Sequence, residues 1–220
     1  MRNCVYLILL GAPGSGKGTQ AKRLVTEFDL VHISTGDMLR QAIAAGTDLG
    51  ELIEHYIKAG YLVPDHHVTS LVDQRLAKAD VNNGFILDGF PRTVRQAESL
   101  DEILRLREIV LDAVALIDVP DEIVVERMSG RRIDPQTGRI YNLGADADQP
   151  PAEILARLEK RDDDSEDVIR HRLTTFHDLT DPVVSFYEAR GNLVRIDGTQ
   201  APETVFEVLT SQVQPVPKQP

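Results

Sequence analysis

Short apolar runs punctuate the chain at 5–10, 30–33, 85–87, 113–117 and 193–196. None alternates apolar with polar positions, the pattern of strands covered on both faces. Between the runs, apolar residues fall at helical spacing. One set is Ala21, Leu24, Val25 and Phe28; another is Leu49, Leu52, Ile53, Tyr56 and Ile57, ahead of a stop at Gly60. Asp65 is placed to cap a helix carrying Val68, Leu71, Val72 and Leu76, and Asp121 one carrying Ile123, Val124 and Met128. Strands alternating with helices predict an α/β layered fold around a five-stranded, mainly parallel sheet.

The stretch 131–161 breaks this rhythm. It holds Pro135, Gly138, Gly144, Pro150 and Pro151, few aliphatics and no strong strand signal. A loop of that length inside a compact domain predicts a functional excursion, here an inserted lid. The end at 214–220 is proline-rich and predicts an extended tail.

Composition adds exclusions. With 220 residues the chain can bury one substantial core. A formal charge of −11 argues against non-specific nucleic-acid binding, which needs a basic footprint. The single cysteine, Cys4, rules out a disulfide framework and any zinc site built from four thiolates, and a reduced, cytoplasmic setting is the simplest expectation. The apolar start is too short for a signal peptide and runs straight into a glycine-rich motif. No run approaches the ~20 apolar residues of a membrane span.

That motif, from Gly11 to Thr19, reads GAPGSGKGT between the first strand and the first helix. It is a phosphate-binding P-loop in the context the chemistry requires. Glycines let successive N–H groups point inward, the helix N-terminus adds partial positive charge, and Lys17 can reach the β- and γ-phosphates. Gly14, Ser15, Gly16, Lys17, Gly18 and Thr19 are therefore candidates for holding a nucleoside triphosphate. Gly18 stands where Ser or Thr commonly holds magnesium. Asp88, at the end of the third strand, is the candidate to hold that ion indirectly, through water.

Two further motifs, Ser34-Thr-Gly-Asp-Met-Leu-Arg40 and Asp88-Gly-Phe-Pro-Arg92 followed by Gln96, stand beside Gly130-Arg131-Arg132. In order and spacing the set resembles the adenylate kinases, over roughly residues 5 to 210. The resemblance implies a doubly wound P-loop core at 1–33, 64–130 and 170–220, a helical monophosphate-binding insertion at 34–63 and a lid at 131–169. It implies reversible phosphoryl transfer from Mg-ATP to AMP, giving two ADP. The same fold serves UMP and CMP kinases, and a P-loop chain can also be a non-catalytic nucleotide sensor. Two phosphate-holding arginines, Arg40 and Arg92, argue against a sensor, which has no need of a second phosphate site.

The resemblance also assigns roles. Arg127, Arg131, Ile140, Tyr141 and Gln200 join the P-loop around ATP, Arg127 lying over the base. Thr35, Arg40, Tyr61, Leu62, Val63, Gly89, Phe90, Pro91, Arg92 and Gln96, with Arg161 and Arg172, surround AMP. The catalytic set is Lys17, Arg92, Arg131, Arg161 and Arg172. Chemistry agrees: arginine holds phosphate by bidentate contacts, and one Gln96 amide carries both a donor and an acceptor for a base edge. No side-chain base is required, because the acceptor is a phosphate oxygen. Asp134 and Thr137 stand where related lids carry thiolates for zinc, so hydrogen bonds and packing must hold this lid, with Tyr141 as the expected anchor. The lid is a few residues shorter than the long-lid pattern around 142–149. The acidic run 162–167 predicts a helix N-terminus, with Asp162 or Asp163 near ribose or magnesium-bound water by resemblance. The expected partners are ATP, AMP and ADP, with the chain acting as a monomer.

Overall fold

A computed structural model describes residues 4–144 and 150–212. The proline-rich tail and the stretch 145–149 of the shortened lid lie outside the described residues. The five apolar runs form strands β1 (Val5–Leu10), β2 (Val31–Ser34), β3 (Gly84–Asp88), β4 (Ala113–Asp118) and, last in the chain, β7 (Leu193–Asp197). They make one parallel sheet in the order β2-β3-β1-β4-β7. β1 is central and buried along its whole length. Its side chains alternate between the two faces: Tyr6, Ile8 and Leu10 join one core with Phe85, Leu87 and Leu116, while Val5, Leu7 and Leu9 join another with Leu24, Ile117 and Val124. Two-sided burial is why the runs read as continuous apolar segments.

Helices α1 (Lys17–Phe28), α2 (Thr35–Ala44), α3 (Asp48–Ala59), α4 (Asp65–Leu76), α5 (Val94–Leu106) and α6 (Asp121–Gly130) alternate with the first strands. After the stretch 131–161 come α8 (Glu166–Leu179), α9 (Asp181–Glu188) and α10 (Pro202–Gln212). The carboxyl ends of the strands carry Gly11, Ser34 and Asp88 to one edge, where open α/β sheets bind ligands.

The structure corrects four expectations. Residues 131–161 are not strandless: β5 (Arg131–Ile133) and β6 (Ile140–Asn142) form an antiparallel hairpin, followed by the short α7 (Ala152–Leu155). Three-residue strands give too little pattern to be read from sequence. Asp65 and Asp121 lie inside the first turns of α4 and α6; the capping positions are Pro64 and Pro120. Their carboxylates instead tie elements together, Asp65 to Thr93 and Gln96, and Asp121 to His177. In the acidic run, only Glu166 and Asp167 sit in the first turn of α8. Asp163 and Asp164 are buried and paired with Arg172 and Arg131.

His177 lies between two carboxylates, Asp181 at 2.8 Å on Nδ1 and Asp121 at 3.0 Å on Nε2. Hydrogen bonding to Asp181 is the leading cause of its raised pKa; burial opposes the rise, and hydrogen bonding to Asp121 adds to it. A raised pKa stabilises the fold fully below the unfolded value, about 6.5, and that contribution disappears as pH rises through the folded value. The gap in Tm between the protein and His177→Ala is therefore expected to narrow from about pH 6 to about pH 8.5. An equal gap at both would exclude the linkage.

Candidate active site

The P-loop leaves β1 and turns into α1 at Gly16, whose φ of 100° is a left-handed value that an L side chain resists. Lys17 folds back over the loop. Its Nζ donates to the carbonyls of Gly11 and Ala12, both at 2.7 Å. Burial lowers its pKa to about 8; Asp88 opposes that shift, and Arg92, Arg172 and Arg131 add to it.

The loop opens on a cleft of about 670 Å³. Every residue expected around ATP lines it: Gly14 through Thr19, Arg127, Arg131, Ile140, Tyr141 and Gln200. Arg127 Nη1 donates to the Gly198 carbonyl at 2.9 Å, which fixes the guanidinium at the outer end. Arg40, Leu62, Gly89, Pro91, Arg92, Arg161 and Arg172, all expected around AMP, line the same cleft. Thr35, Tyr61, Val63 and Gln96 line a smaller cavity of about 50 Å³, which shares Arg40, Leu62, Gly89, Arg92 and Arg172 with the cleft. Phe90 lines neither and is buried in the core beneath them, with a cis bond to Pro91.

Thr35 starts α2 and donates to the Gly89 carbonyl at 2.8 Å. Arg92 Nε donates to the same carbonyl at 2.8 Å, while Thr180 Oγ1 donates to the Arg92 carbonyl at 2.9 Å. Arg40 pairs with Asp37 at 2.6 Å. Asp88 faces the cleft with His32 Nε2 at 3.2 Å from Oδ2.

Six cations from six segments, Lys17, Arg40, Arg92, Arg131, Arg161 and Arg172, thus meet around one cleft. Burial and crowding lower the pKa of Lys17, Arg92, Arg161 and Arg172. Burial, followed by Arg40 and Arg131, lowers Arg161 to about 10. Burial also lowers Arg172 to about 10, with Arg92 and Arg131 adding to the shift and Asp163 opposing it. Arg92 is lowered chiefly by burial. Charges held this way are relieved by an anion bound among them, so the cleft is built for a highly charged one.

The β5–β6 hairpin borders the same cleft as the P-loop, through Ile133, Gly138, Ile140 and Tyr141. Its anchor is Asp134 rather than Tyr141. Asp134 has no exposed surface, accepts from Arg157 Nε at 2.8 Å and Nη2 at 2.7 Å, and also accepts from Thr137 Oγ1 at 2.8 Å and Gln136 N at 3.0 Å. The two positions that carry thiolates in related lids thus hold a hydrogen-bonded clamp closed by an arginine. Tyr141 lies under the Arg139 guanidinium, 5.0 Å from carbon to ring centroid. At the hairpin tip, Lys22 of α1 donates to the Gly138 carbonyl at 3.2 Å. On the other side Gly60 ends α3 at φ 78°; a Cβ there would meet Val168 and Arg172 of α8 at 3.0 Å.

Sequence reasoning missed Lys22, His32, Asp65, Arg157 and Asp164. Each acts through a partner far along the chain, and no local spacing announces such a pairing.

A family profile described as adenylate kinase matches residues 9–192. The adenylate kinase of Kosmotoga olearia is 46% identical over 213 residues, covering 94% of this chain and 98% of that protein. That of Moorella thermoacetica is 48% identical over 198 residues, covering 89% and 91%. That of Thermotoga maritima is 45% identical over 212 residues, covering 93% and 95%. With its P-loop, its crowded cationic cleft and these relatives, the chain belongs to the adenylate kinase family.

Proposed function

We propose that this chain catalyses reversible transfer of the terminal phosphoryl group of Mg-ATP to AMP, giving two ADP. The observation that carries the reading is the meeting of Arg40, Arg92, Arg131, Arg161 and Arg172 with a P-loop lysine around one cleft. A triphosphate and a monophosphate brought end to end concentrate more negative charge than a P-loop alone can neutralise.

An oxygen of the AMP phosphate attacks the γ-phosphorus, and the bond from that phosphorus to the β–γ bridging oxygen breaks. Negative charge spreads over the three transferred oxygens and the leaving ADP. Lys17 and the P-loop N–H groups hold the β- and γ-phosphates. Arg92 and Arg40 fix the acceptor phosphate by bidentate contacts. Arg131, Arg161 and Arg172 close around the group in flight. The acceptor oxygen is already deprotonated near neutral pH, so no side chain has to take a proton.

Magnesium arrives with ATP. The donor set fits a hard cation: Asp88 brings a carboxylate to the cleft beside the P-loop and would hold the ion through water. Bound there, it supplies charge neutralisation on the β- and γ-phosphate oxygens.

In this reading the core comprises 1–33, 64–130 and 170–220, the monophosphate insertion 34–63 and the lid 131–169. Lid closure excludes water, which would otherwise accept the phosphoryl group. The reading takes the chain as a monomer and needs no residue from a second copy. It works in the cytoplasm, consistent with the single cysteine; among the described residues no helix is long and apolar enough to cross a membrane.

The deciding measurement is ADP formation from Mg-ATP with AMP, UMP, CMP and GMP supplied separately. Rapid ADP formation with AMP alone is expected. Turnover with UMP or CMP would move the acceptor assignment to another base, and no acceptor-dependent turnover would overturn the kinase reading.

A further inference from the structure

We propose that Asp65 is a positioning residue that sets the base selectivity of the acceptor cavity by fixing which way the Gln96 amide faces. This rests on the reading above, in which Gln96 meets the acceptor base. Gln96 is 2% exposed and lines the smaller cavity with Val63, Leu62 and Gly89; Asp65 is not among the lining residues. Its Nε2 donates to Asp65 Oδ1 at 2.7 Å, and its Oε1 accepts from the backbone N–H of Arg92 at 2.8 Å. Asp65 is held in turn. Its Oδ2 accepts from Thr93 Oγ1 at 3.0 Å, and that hydroxyl accepts from Gln96 N at 3.1 Å.

The chemistry of the partners dictates the orientation. A carboxylate only accepts, so the NH₂ end must face Asp65. A backbone N–H only donates, so the carbonyl end must face Arg92. An amide offers two N–H donors and two oxygen lone pairs. One of each is spent on the protein. What remains for a ligand is one acceptor and one donor, in fixed order. That pair matches the edge of adenine, whose 6-amino group donates and whose N1 accepts. It opposes hypoxanthine and guanine, whose 6-oxo group accepts and whose N1 carries hydrogen. Were the amide free to flip, the same glutamine would suit those bases equally well. Asp65, at the start of α4 and held by Thr93, the capping residue of α5, therefore acts with the Arg92 N–H to make a glutamine selective that by itself is not.

The test uses the full chain and compares AMP with inosine monophosphate, which differs only at the 6-position and N1. Kd for each is measured by calorimetry, and turnover is measured beside it. The parent is expected to favour AMP by on the order of 10³ or more, because a 6-oxo base mismatches both groups. Asp65→Ala leaves the Arg92 N–H as the only one of these two groups holding the amide and should lower the AMP:IMP ratio at least about tenfold. Asp65→Asn has the same shape but can also donate, so position 65 no longer demands the NH₂ end, and the ratio should fall too while Tm is preserved. A ratio within about twofold of the parent in either folded variant would overturn the proposal. In the parent, NMR should find the Gln96 side-chain N–H facing Asp65 protected from exchange; exchange at the solvent rate would overturn it without any variant. A parent that binds AMP and IMP with the expected ratio but transfers no phosphate would sink the kinase reading and leave this one standing.

Discussion

Arg92→Ala is expected to lower kcat/KM on the order of 10²–10³ while moving Tm by only a few degrees. The rate effect follows from position. Arg92 borders both the larger cleft and the smaller cavity, and its guanidinium is aimed by the Gly89 carbonyl at 2.8 Å. Charge developing on the transferred group between donor and acceptor would meet it in a site already depleted of water. The small stability effect follows from the same burial. Losing the bond to Gly89 costs about 1 kcal/mol, offset by no longer burying a cation; burial is the leading cause of the lowered Arg92 pKa. Arg92→Lys should recover little of the rate, because an ammonium cannot reproduce a planar bidentate contact. Steady-state kinetics with AMP, beside thermal melts, separates the two effects. A mutant as fast as the parent would remove Arg92 from the mechanism.

Asp134→Ala is expected to weaken use of Mg-ATP by on the order of ten- to a hundredfold in kcat/KM, with little effect on the core. The carboxylate is the common acceptor for Gln136 N, Thr137 Oγ1 and the Arg157 guanidinium. Removing it leaves all three without that partner and releases the turn between β5 and β6. That turn places Gly138 against Lys22 and carries Ile140 and Tyr141 to the cleft. Hydrogen bonding to Arg157 is the leading cause holding the Asp134 pKa well below the usual carboxylate range, with Thr137 and Gln136 N adding to it. A depressed pKa gives a contribution fully present above the unfolded value, about 3.9, and lost only as pH falls through the lower folded value. The clamp should therefore stay intact through the neutral range and open only in acid. Limited proteolysis checks this: cleavage in the lid should rise in Asp134→Ala near neutrality. An unchanged digestion pattern together with unchanged kinetics would show that the clamp does not hold the lid.

Much of this protein is local in origin. The apolar runs specify buried strands because both faces of the sheet are covered, and the turn chemistry from Gly11 to Lys17 specifies the phosphate loop through conformations open mainly to glycine. The strand–helix alternation then carries Gly11, Ser34 and Asp88 to one edge, so the cleft is implied by chain order. Part of the cationic set was legible in short motifs, which hold Lys17, Arg40, Arg92 and Arg131, while Arg161 and Arg172 were assigned by family resemblance alone. Partnerships were not legible. Nothing within a few residues of Asp134 indicates Arg157, and nothing near Asp65 indicates Gln96, 31 positions on. Both aspartates look like ordinary turn or cap residues because that local use is open to them. Whether a carboxylate caps its own helix or fixes a side chain elsewhere depends on which donors packing brings within hydrogen-bond distance. By itself the sequence determined the fold class and the phosphate loop and pointed to many residues that line the cleft; only the tertiary structure decided what else lines it and what orients them, because hydrogen bonds across the chain are set by proximity in space and leave no period along it.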